Sequence, residues 1–437
     1  MTDFSDLVED YSTTPVPPGK TVSGFRVALV VIGTSVALPA FLSGAKIATA
    51  LGLKQAILAF VAAGVLLSVL GCFASYVGSK TRLTTYLLVQ FAFGSAGAKF
   101  VNMLLVSTMF GWFGVNAYMF AQACQSMIAD LIGFNGNIDA YLILGSALMV
   151  VTTIFGFKAL NKVALFAVPL LALILGCVLV MSITHTGLHA LMARRSGEMS
   201  FGLAVSAVAG GNMVSVAAMP DLARFMAGKL QVVWSMFLSF TIGSTLIFIS
   251  AAVPSLATGN TDLIQIIIGL GMGAPAMVVL ILSTWTCNGA NLYGAGLGLA
   301  ATFRNIPQWQ FTVGAGVMGT LIAMLGIVDH FVPFLLILGI GIPPIAGIYV
   351  ACYFLRPGRT KDVGGLESLP SVSVTAFAAW AFGLAVAAAT SQAFFTLTTI
   401  PSCDALLAST GLYALLERAF GDGACRVAAG VPPESTR

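Results

Sequence analysis

Long apolar runs follow one another along almost the whole chain, separated by short polar or glycine-bearing breaks. A helix rises about 1.5 Å per residue, so about 20 apolar residues cross a hydrocarbon core about 30 Å thick. Read this way, the pattern predicts spans at roughly 25–51, 55–77, 98–132, 140–157, 162–184, 200–224, 231–256, 273–302, 309–328, 331–355, 372–393 and 401–417. The segment from Thr261 to Gly271 reads as a short extra helix. The expectation is an all-α integral membrane protein of about 12 transmembrane helices.

Composition agrees with the pattern. Of 437 residues, 58% are hydrophobic and 8% charged, against roughly a quarter charged in a soluble domain. The 47 glycines suit closely packed membrane helices. The acidic, proline-bearing first twenty residues lack the form of a signal peptide and read as a mobile arm, and the stretch after Phe420 reads as an unstructured tail. Seven cysteines without paired spacing and three histidines give neither a disulfide framework nor a zinc site.

Charge placement sets the expected topology. Of 20 Lys and Arg, Lys54, Arg194 and Arg195 fall in predicted outside loops and Lys46 within the first span. The other sixteen fall on one side when both termini are cytoplasmic, as the positive-inside rule prefers. The setting is then a multi-pass protein of the cell inner (plasma) membrane.

Two spans look interrupted. VVIGTSVALPAFLSG (30–44) puts Gly33, Thr34, Ser35 and Pro39 near mid-membrane, and AVAGGNMVSVAAMPDLARF (207–225) does the same with Gly210, Gly211 and Asn212, with Pro220 further on. Either break alone is equally a packing kink. Together they are the first spans of two five-span halves, the pattern of a transporter site on inverted repeats. Spans eleven and twelve are then peripheral. The divisions are an arm at 1–24, repeats at 25–184 and 200–356, peripheral helices at 371–418, and a tail at 419–437.

Candidate lining residues gather at one depth. Trp112 and Asn116 lie four apart on one face of span three, an aromatic plane beside an amide. Span eight carries Thr286, Cys287, Asn288 and Asn291 within an apolar run. An Asn in hydrocarbon either ties helices together or lines a cavity; the crowding favours a cavity. No Asp, Glu, Arg or His lies near mid-membrane in spans one, three, six or eight, so a carboxylate proton relay lacks its parts. Lys46 either snorkels outward or biases the vestibule toward acidic solutes.

YVGSKTRLTTYLLVQFAFGSAG (76–97), GWFGVNAYMFA (111–121), PDLARF (220–225) and WTCNGANLYGAGLG (285–298) together resemble the nucleobase:cation symporter family one, in order from about Pro15 to Phe420. The resemblance implies a LeuT-like fold of two inverted five-helix repeats plus two helices. It also implies cation-coupled uptake of nucleobases, hydantoins or related vitamins. By position it implies Trp112 as the ring-stacking residue, and Asn116, Asn212 and Asn288 as solute positions; Gly211 of the interrupted segment and Asn291 beside Asn288 join them as candidate solute contacts from the reading of the residues. Sodium, the one implied ion, would meet the carbonyls of Gly33, Val36 and Ser283 and the Thr286 hydroxyl, with Cys287 where relatives place a second hydroxyl. A thiol suits a hard cation poorly, so sodium and proton coupling both stay open. Asn212 and Val214 replace an aromatic and a serine of the relatives, so cytosine is not expected to be the best substrate. The expected partners are a small-molecule substrate and membrane lipid, with the protein a monomer and no nucleic acid bound.

Other classes fit less well. A channel wants a continuous polar lining. An enzyme wants a nucleophile and base or a metal cluster, whereas His185, His189 and His330 fall in or beside predicted outside loops. No phosphate-binding G-x-x-x-x-G-K-[ST] loop supports ATP-driven transport.

Overall fold

The computed structural model describes residues 15–428, apart from 18, 194–198, 227, 270, 272, 304–305 and 357–368. Among these residues the chain is helical, with a single isolated bridge, Val22 to Met226. By length and composition alone five described helices can cross a membrane, or six when one bent pair counts as a span.

The first span is that bent pair. Helix α1 (Gly24–Ser35) and α2 (Leu38–Leu51) meet at 71°. Ala37 is extended, and Pro39 sits in the first turn of α2, where its missing N–H costs no helical bond. After α3 (Leu53–Thr81) and α4 (Thr85–Phe93) comes α5 (Ser95–Ile132). The predicted spans at 140–157 and 162–184 fall within one helix, α6 (Ile138–Thr186), of 49 residues. Its side chains from 155 to 168 lie outside the described residues. A short α7 (Leu188–Ala193) follows.

The sixth span departs from expectation. Helix α8 (Phe201–Ala217) runs unbroken through Gly210, Gly211 and Asn212, and the interruption falls at Ala218, before α9 (Met219–Ala223). Pro220 causes it by removing an amide donor. Tyr349 compensates by donating to the Ala217 carbonyl at 2.9 Å. The glycines serve packing instead: a Cβ on Gly210 would overlap the Leu335 carbonyl of a neighbouring helix. Beyond the break, the Asp221 carboxylate accepts from Thr85 N at 2.8 Å, and Arg224 Nε donates to the Asp221 backbone carbonyl at 3.1 Å.

The seventh span is continuous from α10 (Lys229–Met236) through a π-helical segment (Phe237–Gly243) to α11 (Ser244–Thr258). Ser68 hydrogen-bonds the Met236 carbonyl and Thr241 at this widened turn. The expected extra helix is α12 (Leu263–Gly269). Then come α13 (Gly273–Thr302), α14 (Gln308–Met324), α15 (Phe331–Gly341), α16 (Pro343–Leu355), α17 (Val374–Ser391) and α18 (Pro401–Ala428).

Two groups of helices result. The bent pair α1–α2, α3, α8–α9 and α10–α11 pack together, while α5, α6, α13 and α14 form the second group. The second group has its own apolar core, including Phe113, Phe120, Leu142, Met149, Leu292 and Ala315. Helices α17 and α18 pack on each other and against α16, and α18 also touches α8 and α15.

Parts of both expected loose ends are ordered, while residues 1–14 and 429–437 lie outside the described residues. Val16 is 1% exposed and donates its N–H to the Arg82 carbonyl, while Val22 N–H bonds Phe225 O at 2.8 Å. The described part of the arm is therefore a strap across the ends of α3 and α9, because its valines find apolar cover and its amides find carbonyls. Helix α18 continues past the expected tail boundary to Ala428; its side chains from Phe420 onward lie outside the described residues.

Candidate functional site

Successive helical residues point about 100° apart, so neighbours can face different cores. On α5, Phe113 enters the core of the second group. Trp112 turns to the larger core that includes the first group. There it meets two rings of α15 edge-on, Phe334 at 5.4 Å and Phe331 at 6.2 Å between centroids. Gly111 makes room: a Cβ there would strike the Phe334 ring.

Asn116 lies one turn along and is 1% exposed. Its Nδ2 donates back to the Trp112 carbonyl at 2.9 Å, while its Oδ1 is buried without a hydrogen-bond partner. Such a buried acceptor is costly, and in a native fold it calls for a reason.

On α13, Asn288 is fully buried. Its Nδ2 reaches Phe113 O at 3.2 Å and Met149 Sδ at 3.3 Å, and Asn291 Nδ2 donates to its Oδ1 at 3.4 Å. Asn288 thus joins α13 to α5 and α6. Thr286 is buried and Cys287 is a half-buried free thiol. Ser283 lies on the same helix, with its side chain outside the described residues.

On α8, Asn212 accepts from Ser35 at the end of α1, Oγ to Oδ1 3.3 Å. Gly211 faces looser surroundings than Gly210, its added Cβ meeting only Leu335 Cδ2 at 3.9 Å. Helix α15 therefore touches both walls, Trp112 through two phenyl rings and Gly210–Gly211 through Leu335.

The bend in the first span rearranges the hydrogen bonds around the carbonyls named for a cation. In an unbroken helix Gly33 O would accept from Ala37 N and Val36 O from Ala40 N; here Ala37 N bonds Ser35 O and Ala40 N bonds Ala37 O. Backbone oxygens suit a hard ion. On the α13 side the donors are weaker, because Cys287 offers sulfur.

Sequence reading named Ser35 only as part of the interrupted span and did not single out Phe331, Phe334 or Leu335. The two phenylalanines, three apart and flanking Pro333, read as ordinary apolar residues of an apolar span.

Comparison with known proteins follows the same lines. Residues 15–412 match the family described as permease for cytosine/purines, uracil, thiamine, allantoin. Cytosine permease of Escherichia coli (strain K12) is 31% identical over 378 residues, covering 86% of this chain and 88% of that one. Hydantoin permease of Microbacterium maritypicum is 22% identical over 411 residues, covering 86% and 83%. Among solved structures, the inward-facing conformation of Mhp1 superposes with a TM-score of 0.81 at 19% identity, covering 96% and 99%. The closed form of Mhp1, a nucleobase-cation-symport-1 family transporter with bromovinylhydantoin bound, gives 0.79 at 21% identity, covering 95% and 96%. Those likenesses establish the LeuT-like fold, and the chain belongs to the cytosine/purine, uracil, thiamine and allantoin permease family.

Proposed function

We propose that this permease imports a small neutral nitrogen heterocycle, of the nucleobase, hydantoin or vitamin-precursor kind, by alternating access between its two helix groups. The observation that carries the solute class is Asn116: a buried, unpartnered carbonyl oxygen one turn from the Trp112 indole. A flat ring bearing an N–H satisfies both, stacking on the indole and donating to the oxygen. Asn212 and Val214, in place of an aromatic and a serine, favour a ring more polar or less aromatic than cytosine.

Cation coupling goes with this reading. The carbonyls of Gly33, Val36 and Ser283 and the hydroxyl of Thr286 are the groups that would hold sodium, which would supply positive charge beside the bend of the first span. The Cys287 thiol makes that site weak, which favours slight sodium dependence or a proton gradient as the second reading. The protein's residues do the rest: Trp112 stacks, Asn116 orients, and α15 covers. Both cytoplasmic termini, an inner-membrane location, repeats near 25–184 and 200–356, and a monomeric state complete the proposal, supported by the one-sided Lys and Arg distribution.

The experiment is a thermal-shift screen of purines, pyrimidines, hydantoins and vitamin precursors, with and without sodium, followed by counterflow in vesicles. A bound solute raises the melting temperature by mass action. Accelerated exchange identifies a carrier; its absence, with downhill flux intact, would indicate a channel.

A further inference from the structure

Lys46 is a charged residue within an apolar span, and such residues need a partner. Its Nζ donates to the Val328 carbonyl at 3.4 Å, and the Asp329 carboxylate acts on it electrostatically. Both residues lie in the turn at 325–330 that joins α14 to α15. Lys46 sits on α2 of the first group, so this contact ties α2 to the turn that leads into α15. It lies beyond the bend, away from the strap end of α1.

The turn is shaped for the contact. Gly326 takes φ +81°, a conformation a side chain would strain, and a Cβ there would come 3.1 Å from Asp329 Oδ2. Asp329 N in turn bonds Gly326 O at 3.0 Å. The Val328 carbonyl that Lys46 grips also accepts from Phe331 N at 3.3 Å, and His330 O accepts from Phe334 N at 3.0 Å. Phe331 and Phe334 are the rings set edge-on to Trp112. One helical turn thus links the ammonium to the aromatic cover of the solute wall.

We propose that Lys46 is a positioning residue for solute entry: through the Val328 carbonyl it holds the aromatic start of α15 over Trp112, and its release uncovers Trp112 from that end of the molecule. The inference rests on the preceding reading only in taking Trp112 as a wall of the solute site.

The test is hydrogen exchange on the full chain in lipid nanodiscs without solute, paired with tracer uptake. In Lys46→Met the amides of 331–336 are expected to exchange about tenfold faster or more, the loss of one charge-assisted hydrogen bond. Asp329→Asn should act in the same direction, and Lys46→Arg should restore slow exchange. The KM for uptake should rise severalfold in Lys46→Met, with Vmax changed less, and should recover in Lys46→Arg. Unchanged exchange at 331–336 in both Lys46→Met and Asp329→Asn would overturn the proposal. So would a rise shared equally by α16 and α18, which would make Lys46 a residue of general stability. If Lys46→Met does not fold, Asp329→Asn carries the same test. Faster local exchange together with normal solute binding in Trp112→Ala would keep the latch and discard the site reading.

Discussion

Asn116 turns its amide nitrogen onto the carbonyl of Trp112, one turn back on the same helix, and leaves its own carbonyl oxygen buried and unpaired. The empty protein therefore carries a cost that a solute N–H would remove. Asn116→Ala should leave the empty protein as stable as before, or slightly more so, while weakening solute binding about tenfold, one hydrogen bond's worth. Trp112→Ala should lose a stacking face worth roughly 1–3 kcal/mol by analogy with base–aromatic stacking, leaving a folded protein that fails to bind. Melting curves with and without solute check both, and unaltered binding in either variant would remove that residue from the site.

Asn288 is expected to behave in the opposite way. Its side chain joins α13 to Phe113 of α5 and Met149 of α6. Asn288→Ala should lower the stability of the empty protein by about 1–2 kcal/mol, read as a fall in melting temperature before any solute is added. Normal melting with lost binding would instead place Asn288 among the solute contacts.

Two adjacent glycines should respond oppositely to one methyl group. At Gly210 a Cβ overlaps the Leu335 carbonyl, and backbone cannot move aside as a side chain can. Gly210→Ala should cost about 1–3 kcal/mol or more by overpacking, and Gly211→Ala should be nearly neutral for stability. Expression and melting temperature of the two variants provide the comparison; equal tolerance would mean the crossing of α8 and α15 is looser than described.

Cys287 sharpens the cation question. Cys287→Ser puts a hard oxygen where sulfur stands, and sodium should then tighten solute binding more than in the unsubstituted protein. Linkage requires solute to tighten sodium by the same factor. Thr286→Ala should abolish whatever sodium response exists. Indifference of uptake to sodium in all three proteins would leave this position without a coupling role.

The fold class and most span boundaries were legible because a bilayer demands long apolar runs, and that demand is written residue by residue. The break in the first span was legible too, since Pro39 and the polar GTS segment act locally. The sixth span misled for a physical reason: glycine lowers helix stability, so Gly210 and Gly211 look like a break. The same missing side chain instead admits the backbone of α15. Nothing within α8 itself distinguishes these two uses.

Sequence by itself therefore determined the membrane setting, the family and the residue types available to the site, all of which follow from composition, spacing and motif. Tertiary structure decided which face each residue presents and to whom. It gave Asn288 partners on α5 and α6 and left Asn116 Oδ1 without one, two asparagines that look alike in an apolar run. It drew Phe331 and Phe334 over Trp112 and gave Lys46 a partner in the turn at Val328 and Asp329. Those outcomes depend on contacts between helices far apart in the chain, where burial and hydrogen-bond satisfaction are settled by the neighbour and not by the residue.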